Sequence, residues 1–220
     1  MKLDAARAEI CRVGRSLFER GYVHATAGNL SMRLDGDAGT LITPTDACLG
    51  FLEPAAISHV DSDGRQVDGA PASKTLALHR AIYAADPTAG AVIHTHSSHL
   101  VALTLAGVWR SDDVLPPITP YQVMKVGHVP LIAYHRPGDP AVAALVVAAI
   151  EAAQARRVPL RAVLLDRLGP NVWHGSLAAA MATLEELEET ARLWLMTHPK
   201  PAALGAAQLD ALRQAFDLAW

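Results

Sequence analysis

Cysteine is scarce in this sequence, which has only two thiols, Cys11 and Cys48, among 220 residues. Their separation matches neither a disulfide framework nor the paired spacing of a cysteine-based metal site, so both are predicted to be reduced. Aromatic residues make up only 5% of the chain, whereas 51% of it is hydrophobic. The core must therefore be built mainly from Ala, Val, Leu and Ile, and it is large enough for a single domain over 1–220.

An excess of one charge sign is also missing. The chain carries 19 basic and 22 acidic side chains, which gives a formal net charge of -3. This balance provides no electrostatic footprint for nucleic acid or for an anionic membrane. The N-terminal segment mixes both charge signs, and no later apolar run is long enough to cross a bilayer. We therefore expect a cytoplasmic protein whose partners are small molecules or proteins.

Helical and strand patterns of hydrophobicity follow one another along the chain. Apolar residues at helical spacing predict helices over 3–20, 73–84, 97–106, 141–155, 177–196 and 206–220. Short apolar or alternating runs predict strands over 29–34, 40–43, 57–60, 89–94 and 161–165, with a short partner at 172–173. The early strands favour a small antiparallel meander. Together these elements predict an α/β fold in which helices cover a mixed sheet.

The strongest chemical signal is A-V-I-H-T-H at 91–96, an apolar strand that ends in two histidines. Side chains alternate across a strand, so His94 and His96 are predicted to point to the same face and to chelate one metal ion. Two neutral imidazoles suit zinc, and they also suit iron, copper or nickel. The alternative is a pair of partly buried histidines that are satisfied by hydrogen bonds.

Three further segments carry residue types that bind anions. T-A-G-N-L-S at 26–31 exposes backbone N–H groups around a flexible glycine, and T-P-T follows at 43–45. Ser73 and Lys74 stand at the start of a predicted helix, whose N-terminal end favours negative charge. Turns and helix caps use the same residue types, so each segment alone is a weak signal. Three roles are open for Lys74: it contacts an anionic substrate, it acts as a base whose pKa is lowered by desolvation, or it is a lysine exposed to solvent.

The order of these motifs points to a family. T-A-G-N-L-S, I-T-P-T, the Ser-containing helix start with His79, A-V-I-H-T-H, L-G-P and V-W-H-G-S-L together resemble the class II aldolase/adducin family. The resemblance runs from the first helix to about residue 196. Within the family, the segments at 119–121, 129–131, 134–139 and 185–190 look most like the 3-oxo-tetronate 4-phosphate decarboxylase branch.

The resemblance implies a specific chemistry. It implies a three-layer fold with a mixed, mostly antiparallel sheet, and a metal-dependent carbon–carbon lyase, an aldolase or a decarboxylase, acting on a small sugar or sugar acid. The metal, with zinc favoured over iron or manganese, would be held by His94 and His96. A substrate anion such as phosphate would be bound by Thr26, Gly28, Asn29, Thr45 and Ser73, and Lys74 and Tyr121 are the candidate catalytic residues. The resemblance also implies a homotetramer with active sites at subunit interfaces.

Three positions depart from the family pattern. Thr75 replaces the acid/base carboxylate, Leu168 replaces the third metal histidine, and Asp46 replaces the glycine of the phosphate loop. Threonine does not exchange a proton near neutral pH, and leucine has no lone pair for a metal. Asp46 would repel a phosphate if its carboxylate faced the pocket.

These departures leave alternatives open. The chain is either an active lyase in which other groups have taken over, or a catalytically degenerate member with a binding or structural role, whose pocket is collapsed or blocked by Leu168. Candidate replacement ligands are Asp166, His128, His135 and His174. A third alternative keeps the metal but uses iron for oxidative chemistry. Trp220, at the end of the chain, is expected to cover a neighbouring subunit's pocket.

Overall fold

The computed structural model describes residues 3–36 and 38–220, so residues 1, 2 and 37 of the predicted domain lie outside the description. Within these ranges the chain forms six α-helices: α1 (Leu3–Glu19), α2 (Leu76–Ala85), α3 (Ser98–Ala106), α4 (Ala141–Ala155), α5 (Leu177–Met196) and α6 (Ala206–Phe216). It also forms eight strands: β1 (Asn29–Arg33), β2 (Thr40–Ile42), β3 (Ser58–Val60), β4 (Gln66–Asp68), β5 (Ala91–His94), β6 (Leu131–Ile132), β7 (Ala162–Leu165) and β8 (Gly169–His174). Each of the six predicted helices is present.

The strands of the described ranges join one sheet in the order β4-β3-β2-β1-β5-β8-β7-β6. Neighbouring strands are antiparallel except β6 and β7, which are parallel. The predicted antiparallel meander is confirmed and comprises β1 to β4. The sequence patterns do not predict β4, whose residues are all exposed, or β6, which has only two residues. Neither strand carries an apolar alternation that could be detected.

Helices cover both faces of the sheet and create two apolar cores. On one face, α1, α3 and α5 pack over side chains such as Leu30 and Ile93. On the other face, α2 and α4 pack over Val92, Val163 and Trp173. Val92 and Ile93 are neighbours in β5, so strand alternation sends one side chain into each core. This arrangement confirms the predicted three-layer α/β fold.

The two cysteines are free thiols, as predicted. Cys11 lies in α1, and Cys48 precedes a turn of 3-10 helix at Leu49–Phe51; both side chains are half-buried. No helix among residues 3–36 and 38–220 is long and apolar enough to cross a bilayer.

A polar cluster is buried between α2 and β1. The hydroxyl of Ser31 lies 2.7 Å from His79 Nδ1 and 2.7 Å from the hydroxyl of Tyr83. His79 Nε2 is buried and has no hydrogen-bond partner among the described residues. Burial lowers the pKa of His79 to about 3, and the charge of His94 adds to the lowering. His79 is therefore neutral in the folded protein at neutral pH.

Acid should destabilise the fold through His79. The unfolded chain binds a proton at this histidine below its ordinary pKa of 6.5, whereas the folded chain does so only near 3, so stability is lost as the pH falls between these values. The expected slope is about 1.4 kcal/mol per pH unit. Urea unfolding from about pH 7 to about pH 4 should show a shallower loss in His79→Leu than in the unchanged protein. His198→Gln, which changes an exposed histidine, is the control, and equal slopes for His79→Leu and the unchanged protein would contradict this assignment.

Candidate active site

A row of three polar side chains crosses the centre of the sheet. In the strand register, His94 of β5 pairs with Asn29 of β1 on one side and with Asn171 of β8 on the other. Directly opposed residues of antiparallel strands point to the same face, so the three side chains lie side by side. They are buried on the face that α2 and α4 cover, one step beyond Val92 and Trp173. The row therefore forms a polar floor where the apolar core ends.

The two predicted metal ligands, His94 and His96, lie next to one another, but the reason differs from the predicted one. Strand β5 ends at His94, so His96 stands in the following loop and strand alternation does not place it. The centroids of the two rings are nevertheless 5.1 Å apart. The ring of His24, an exposed residue that the sequence does not single out, lies 6.4 Å from that of His96.

Hydrogen bonding and burial prepare His94 as a ligand. Its Nδ1 lies 2.9 Å from the carbonyl oxygen of Pro170, and because a carbonyl only accepts, Nδ1 carries the proton. The lone pair is then on Nε2. The pKa of His94 is lowered to about 4, mainly by burial and to a smaller extent by the charge of His96. The hydrogen bond to Pro170 acts in the opposite direction and raises it. The pKa of His96 is also lowered, mainly by burial. Both rings are thus in the neutral form that binds metals.

The loop that carries His96 is held at both ends. Glu188 of α5 accepts hydrogen bonds from the backbone N–H groups of His99 and Leu100, at 2.9 and 3.0 Å, and so caps the start of α3. On the other side, Gly169 lies so close that an added Cβ would be 2.2 Å from the carbonyl oxygen of Thr95. Its φ of 110° also favours glycine. The turn between β7 and β8 is therefore packed directly against the histidine loop.

A cavity of about 500 Å³ opens above the polar row. Its wall includes the histidine pair and five residues that the sequence assigns to an anion site or to catalysis: Thr26, Gly28, Asn29, Ser73 and Lys74. Gly28, with φ of 84°, passes so close to β5 that an added Cβ would be 2.8 Å from the carbonyl oxygen of His94. The cavity is not collapsed, and Leu168 forms part of its wall.

The wall of the cavity also contains two residues that the sequence does not single out, Asn171 and Arg136. Asn171 is 1% exposed, and neither its Oδ1 nor its Nδ2 has a partner among the described residues. Arg136 comes from the segment between β6 and α4. Sequence reasoning could have identified Asn171, because its amide stands among apolar strand residues. Arg136 could not be identified in this way, because it stands in a turn that contains Pro and Gly and the sequence does not show where such a side chain points.

Comparison with known proteins identifies the family. The model of the Class II Aldolase and Adducin N-terminal domain matches residues 8–195. The chain belongs to the class II aldolase/adducin family. A 3-oxo-tetronate 4-phosphate decarboxylase of Cupriavidus necator is 60% identical over 97% of this chain and 97% of that protein. One of Escherichia coli K12 is 40% identical over 96% of each chain. The predicted family and branch are confirmed.

Solved structures show the same relationship. The crystal structure of YgbL from Klebsiella pneumoniae superposes with a TM-score of 0.87 at 39% identity and covers 97% of this chain and 100% of that one. An L-fuculose 1-phosphate aldolase, at 21% identity, has a TM-score of 0.81 over 97% of each chain and supports the fold alone. The class II aldolase fold thus extends over nearly the whole chain.

Two of the predicted site residues lie outside the class II aldolase cavity. Thr45 is not among the residues that line the cavity, although its neighbours Pro44 and Asp46 are, and its backbone N–H donates to the carbonyl oxygen of Pro71 at 2.9 Å. Tyr121 is 60% exposed and precedes the π-helical turn at Gln122–Val126. The binding role of Thr45 therefore lacks a contact with this cavity. The catalytic role of Tyr121 stays a prediction, because only a site shared with another subunit could include it.

The suggested replacement ligands are also elsewhere, and none of them lines the cavity. His128 pairs with Asp113 at 2.6 Å and stacks on Trp220 of the same chain, with ring centroids 4.0 Å apart. The Nδ1 of His135 lies 3.6 Å from Asp139, His174 Nδ1 accepts from the N–H of Gly175, and the N–H of Asp166 donates to the carbonyl oxygen of Ile132. Among the described residues of this chain, none of the four joins His94 and His96 in a group that could hold a metal. That Trp220 covers a neighbouring pocket stays a prediction.

The donors present fit a divalent cation with two protein nitrogens. Among residues 3–36 and 38–220, no third His, Cys, Asp or Glu completes a cluster that could hold a metal. Leu168 lines the cavity instead, as the sequence indicates. A cation bound to His94 and His96 would therefore complete its coordination with water or with oxygens of the substrate.

Glu188 should contribute strongly to stability. Glu188→Ala would leave two backbone N–H groups at the start of α3 without their acceptor and would remove the contact of Glu188 with His99 Nδ1 at 2.9 Å. An unpaired buried donor costs about 1–3 kcal/mol. We expect the free energy of unfolding in urea to fall by about 2–4 kcal/mol. Glu151→Ala, an exposed substitution in α4, should change it by less than about 0.5 kcal/mol. Similar values for the two variants would contradict the capping role.

Asp46 should weaken anion binding at the mouth of the cavity. It adopts φ of 55°, the left-handed conformation that favours glycine, and its carboxylate is 3.9 Å from Lys74 Nζ, with both side chains 79% exposed. Asp46→Asn should raise the affinity for inorganic phosphate by about two- to fivefold at low salt, because one exposed negative charge is removed. Calorimetric titration measures this, with Asp63→Asn as the control. An unchanged affinity in Asp46→Asn would mean that the carboxylate does not face the bound anion.

Proposed function

We propose that this chain is a divalent-metal-dependent lyase that decarboxylates a phosphorylated four-carbon 3-oxo sugar acid. The observation that carries the proposal is the pair of neutral imidazoles, His94 and His96, at the floor of an open cavity beside the anion-binding residues. The relatives named 3-oxo-tetronate 4-phosphate decarboxylase support this choice of substrate. We take zinc as the metal, ahead of iron or manganese, and expect a cytoplasmic homotetramer with sites at its interfaces.

The reaction follows from the chemistry of a 3-oxo acid. The bond between C1 and C2 breaks, C1 leaves as carbon dioxide, and the electron pair is delocalised over C2, C3 and the C3 oxygen. A proton from solvent water then adds to C2, which gives dihydroxyacetone phosphate. A divalent ion bound to His94 and His96 supplies a Lewis acid for the charge that develops on the substrate oxygens.

The chain's own residues hold the substrate. Gly28 and Asn29 line the cavity at the start of β1, and Ser73 and Lys74 line it just before α2. The first turn of α2 contains no acidic residue, so the positive end of the helix remains available to a phosphate. These groups fix one end of the substrate and place its carbonyl above the polar row.

Thr75 favours decarboxylation over aldol cleavage. Its hydroxyl lies 3.0 Å from that of Ser73 at the cavity wall, where an acid/base carboxylate is expected in the family. Aldol cleavage needs a base to remove a hydroxyl proton as the carbon–carbon bond breaks. Decarboxylation needs no such base, because the leaving carboxylate is already ionised and provides the electron pair. The missing carboxylate is therefore compatible with the proposed reaction.

The test combines metal binding with product analysis. Purified protein should bind stoichiometric metal and should release carbon dioxide and dihydroxyacetone phosphate from 3-oxo-tetronate 4-phosphate generated in the assay. His94→Ala should weaken metal binding by more than about 100-fold and abolish turnover, since one of two nitrogen ligands is lost. His174→Gln, outside the cavity, should change neither.

Three results would overturn the proposal or its details. Absence of stoichiometric metal, or metal content that is unchanged in His94→Ala, would remove its basis. Oxygen uptake by an iron-loaded protein would favour oxidative chemistry instead. Metal binding without turnover of the 3-oxo acid would point to the degenerate alternative.

A further inference from the structure

The cavity has two ends, which lie on opposite sides of the histidine pair. Strand β5 carries His94, with β1 on one side and β8 followed by β7 and β6 on the other. The anion-binding residues Asn29 and Lys74 belong to the β1 side, next to α2. Asn171 of β8 and Arg136, from the segment that follows β6, contribute to the opposite side. A second set of polar groups is thus available beyond the histidines.

Asn171 lies at this second end of the cavity, and its side chain has no hydrogen-bond partner among the described residues. It is 1% exposed, and both its carbonyl oxygen and its amide nitrogen are buried without a hydrogen bond to any described residue. Its neighbours on the same face include Trp173 and Leu165, which pack in the apolar core. An apolar side chain would therefore serve the fold better, because buried amides without partners are destabilising. The amide is explained if a polar group of a ligand enters the cavity and binds it.

Arg136 places a guanidinium at the same end of the cavity. Among the described residues its guanidinium forms neither a hydrogen bond nor an ion pair. Asp139, which also lines this end of the cavity, accepts from the N–H of Ala141 at 3.0 Å and lies 3.6 Å from His135 Nδ1, and the charge of Arg136 contributes to the lowering of its pKa. The segment is a closed turn, in which the N–H of Asp139 donates to the carbonyl oxygen of Arg136. An ordered turn therefore carries the Arg136 guanidinium and the Asp139 carboxylate to the rim of the cavity, and of the two only the carboxylate has a hydrogen-bond partner among the described residues.

We propose that Asn171 and Arg136 form the subsite for the substrate's carboxylate. The proposal rests on the function proposed above, in which the substrate has a phosphate at one end and a carboxylate at the other. With the phosphate on the β1 side, C2 and C3 lie near His94 and the carboxylate reaches the β8 side. A guanidinium pairs well with a carboxylate, and the amide nitrogen of Asn171 donates a second hydrogen bond. The pair selects sugar acids over neutral sugar phosphates.

Two unreactive ligands of the same length separate this subsite from the phosphate site. Erythronate 4-phosphate ends in a carboxylate, whereas erythritol 4-phosphate ends in a hydroxymethyl group, and neither has the oxo group required for decarboxylation. Calorimetric titration should show that the unchanged protein binds erythronate 4-phosphate at least about tenfold more tightly than erythritol 4-phosphate. A ratio of this size is expected from one charge-assisted hydrogen bond. Arg136→Gln and Asn171→Val should each lower this ratio towards one, while the affinity for erythritol 4-phosphate stays the same.

Matched variants make the outcome specific. Arg156→Gln, outside the cavity at the end of α4, should leave both affinities unchanged, whereas Lys74→Gln should weaken both ligands together. Asn171→Val should also keep or raise the melting temperature, because it replaces an unpaired buried amide by an apolar side chain. If Asn171→Val does not fold, the exposed substitution Arg136→Gln decides the question alone.

Failure of this inference differs from failure of the proposed function. If the unchanged protein binds neither ligand, the proposal of a phosphorylated substrate is wrong, and the proposed carboxylate subsite is wrong as well. If it binds both equally, or if Arg136→Gln weakens both equally, the carboxylate subsite is wrong while the decarboxylase assay retains its own result.

Discussion

The antiparallel pairing of β1, β5 and β8 is the constraint on which the site depends. Backbone hydrogen bonds fix which residues oppose His94, and the two apolar cores fix which face it occupies. A shift of one residue would send His94 into the core beneath α3 and α5 and would bring Ile93 to the cavity. Strand alternation between Val92 and Ile93 prevents this shift, because each side chain fills a different core. Apolar packing thereby determines the position of the polar groups.

The cavity exists because the covering helices stop short of this row. Helices α2 and α4 pack together over Val92 and Trp173, and their first turns form part of the cavity wall. Within the described part of the chain, buried side-chain atoms that lack hydrogen-bond partners lie at and beside this opening, on Asn29, His79 and Asn171, and also elsewhere, on Arg7. Such atoms oppose folding, so the presence of three such residues at one place agrees with a site that accepts a polar ligand.

The sequence predicts the elements whose packing is strongly periodic and misses those that depend on distant contacts. Helices at Ala141–Ala155 and Leu177–Met196 have the predicted bounds, and the second begins where Ser176 accepts a hydrogen bond from the N–H of Ala179. Helix α2 begins at Leu76, three residues later than predicted, because the hydroxyls of Ser73 and Thr75 interact with each other in a turn. The short strands β4 and β6 have too little apolar pattern to be recognised.

The same distinction applies to the site. The motif around His94 and His96 identifies the metal candidates, yet the position of His96 depends on Glu188 and Gly169, which are distant in sequence. Asn171 becomes meaningful only through its pairing with His94. Its role requires the register of two strands that are separated by more than one helix, and no local pattern contains this information.

The three departures from the family pattern have a common consequence for the proposed reaction. Thr75, Leu168 and Asp46 all line one cavity and remove, respectively, a base, a metal ligand and a flexible glycine. A 3-oxo acid supplies its own electron pair when it loses carbon dioxide, so the base is not needed. A cation with only two nitrogen ligands leaves more positions for oxygens of the substrate. Binding then depends more heavily on the groups that hold the two ends of the substrate, which gives Lys74 and Arg136 a larger share of the recognition.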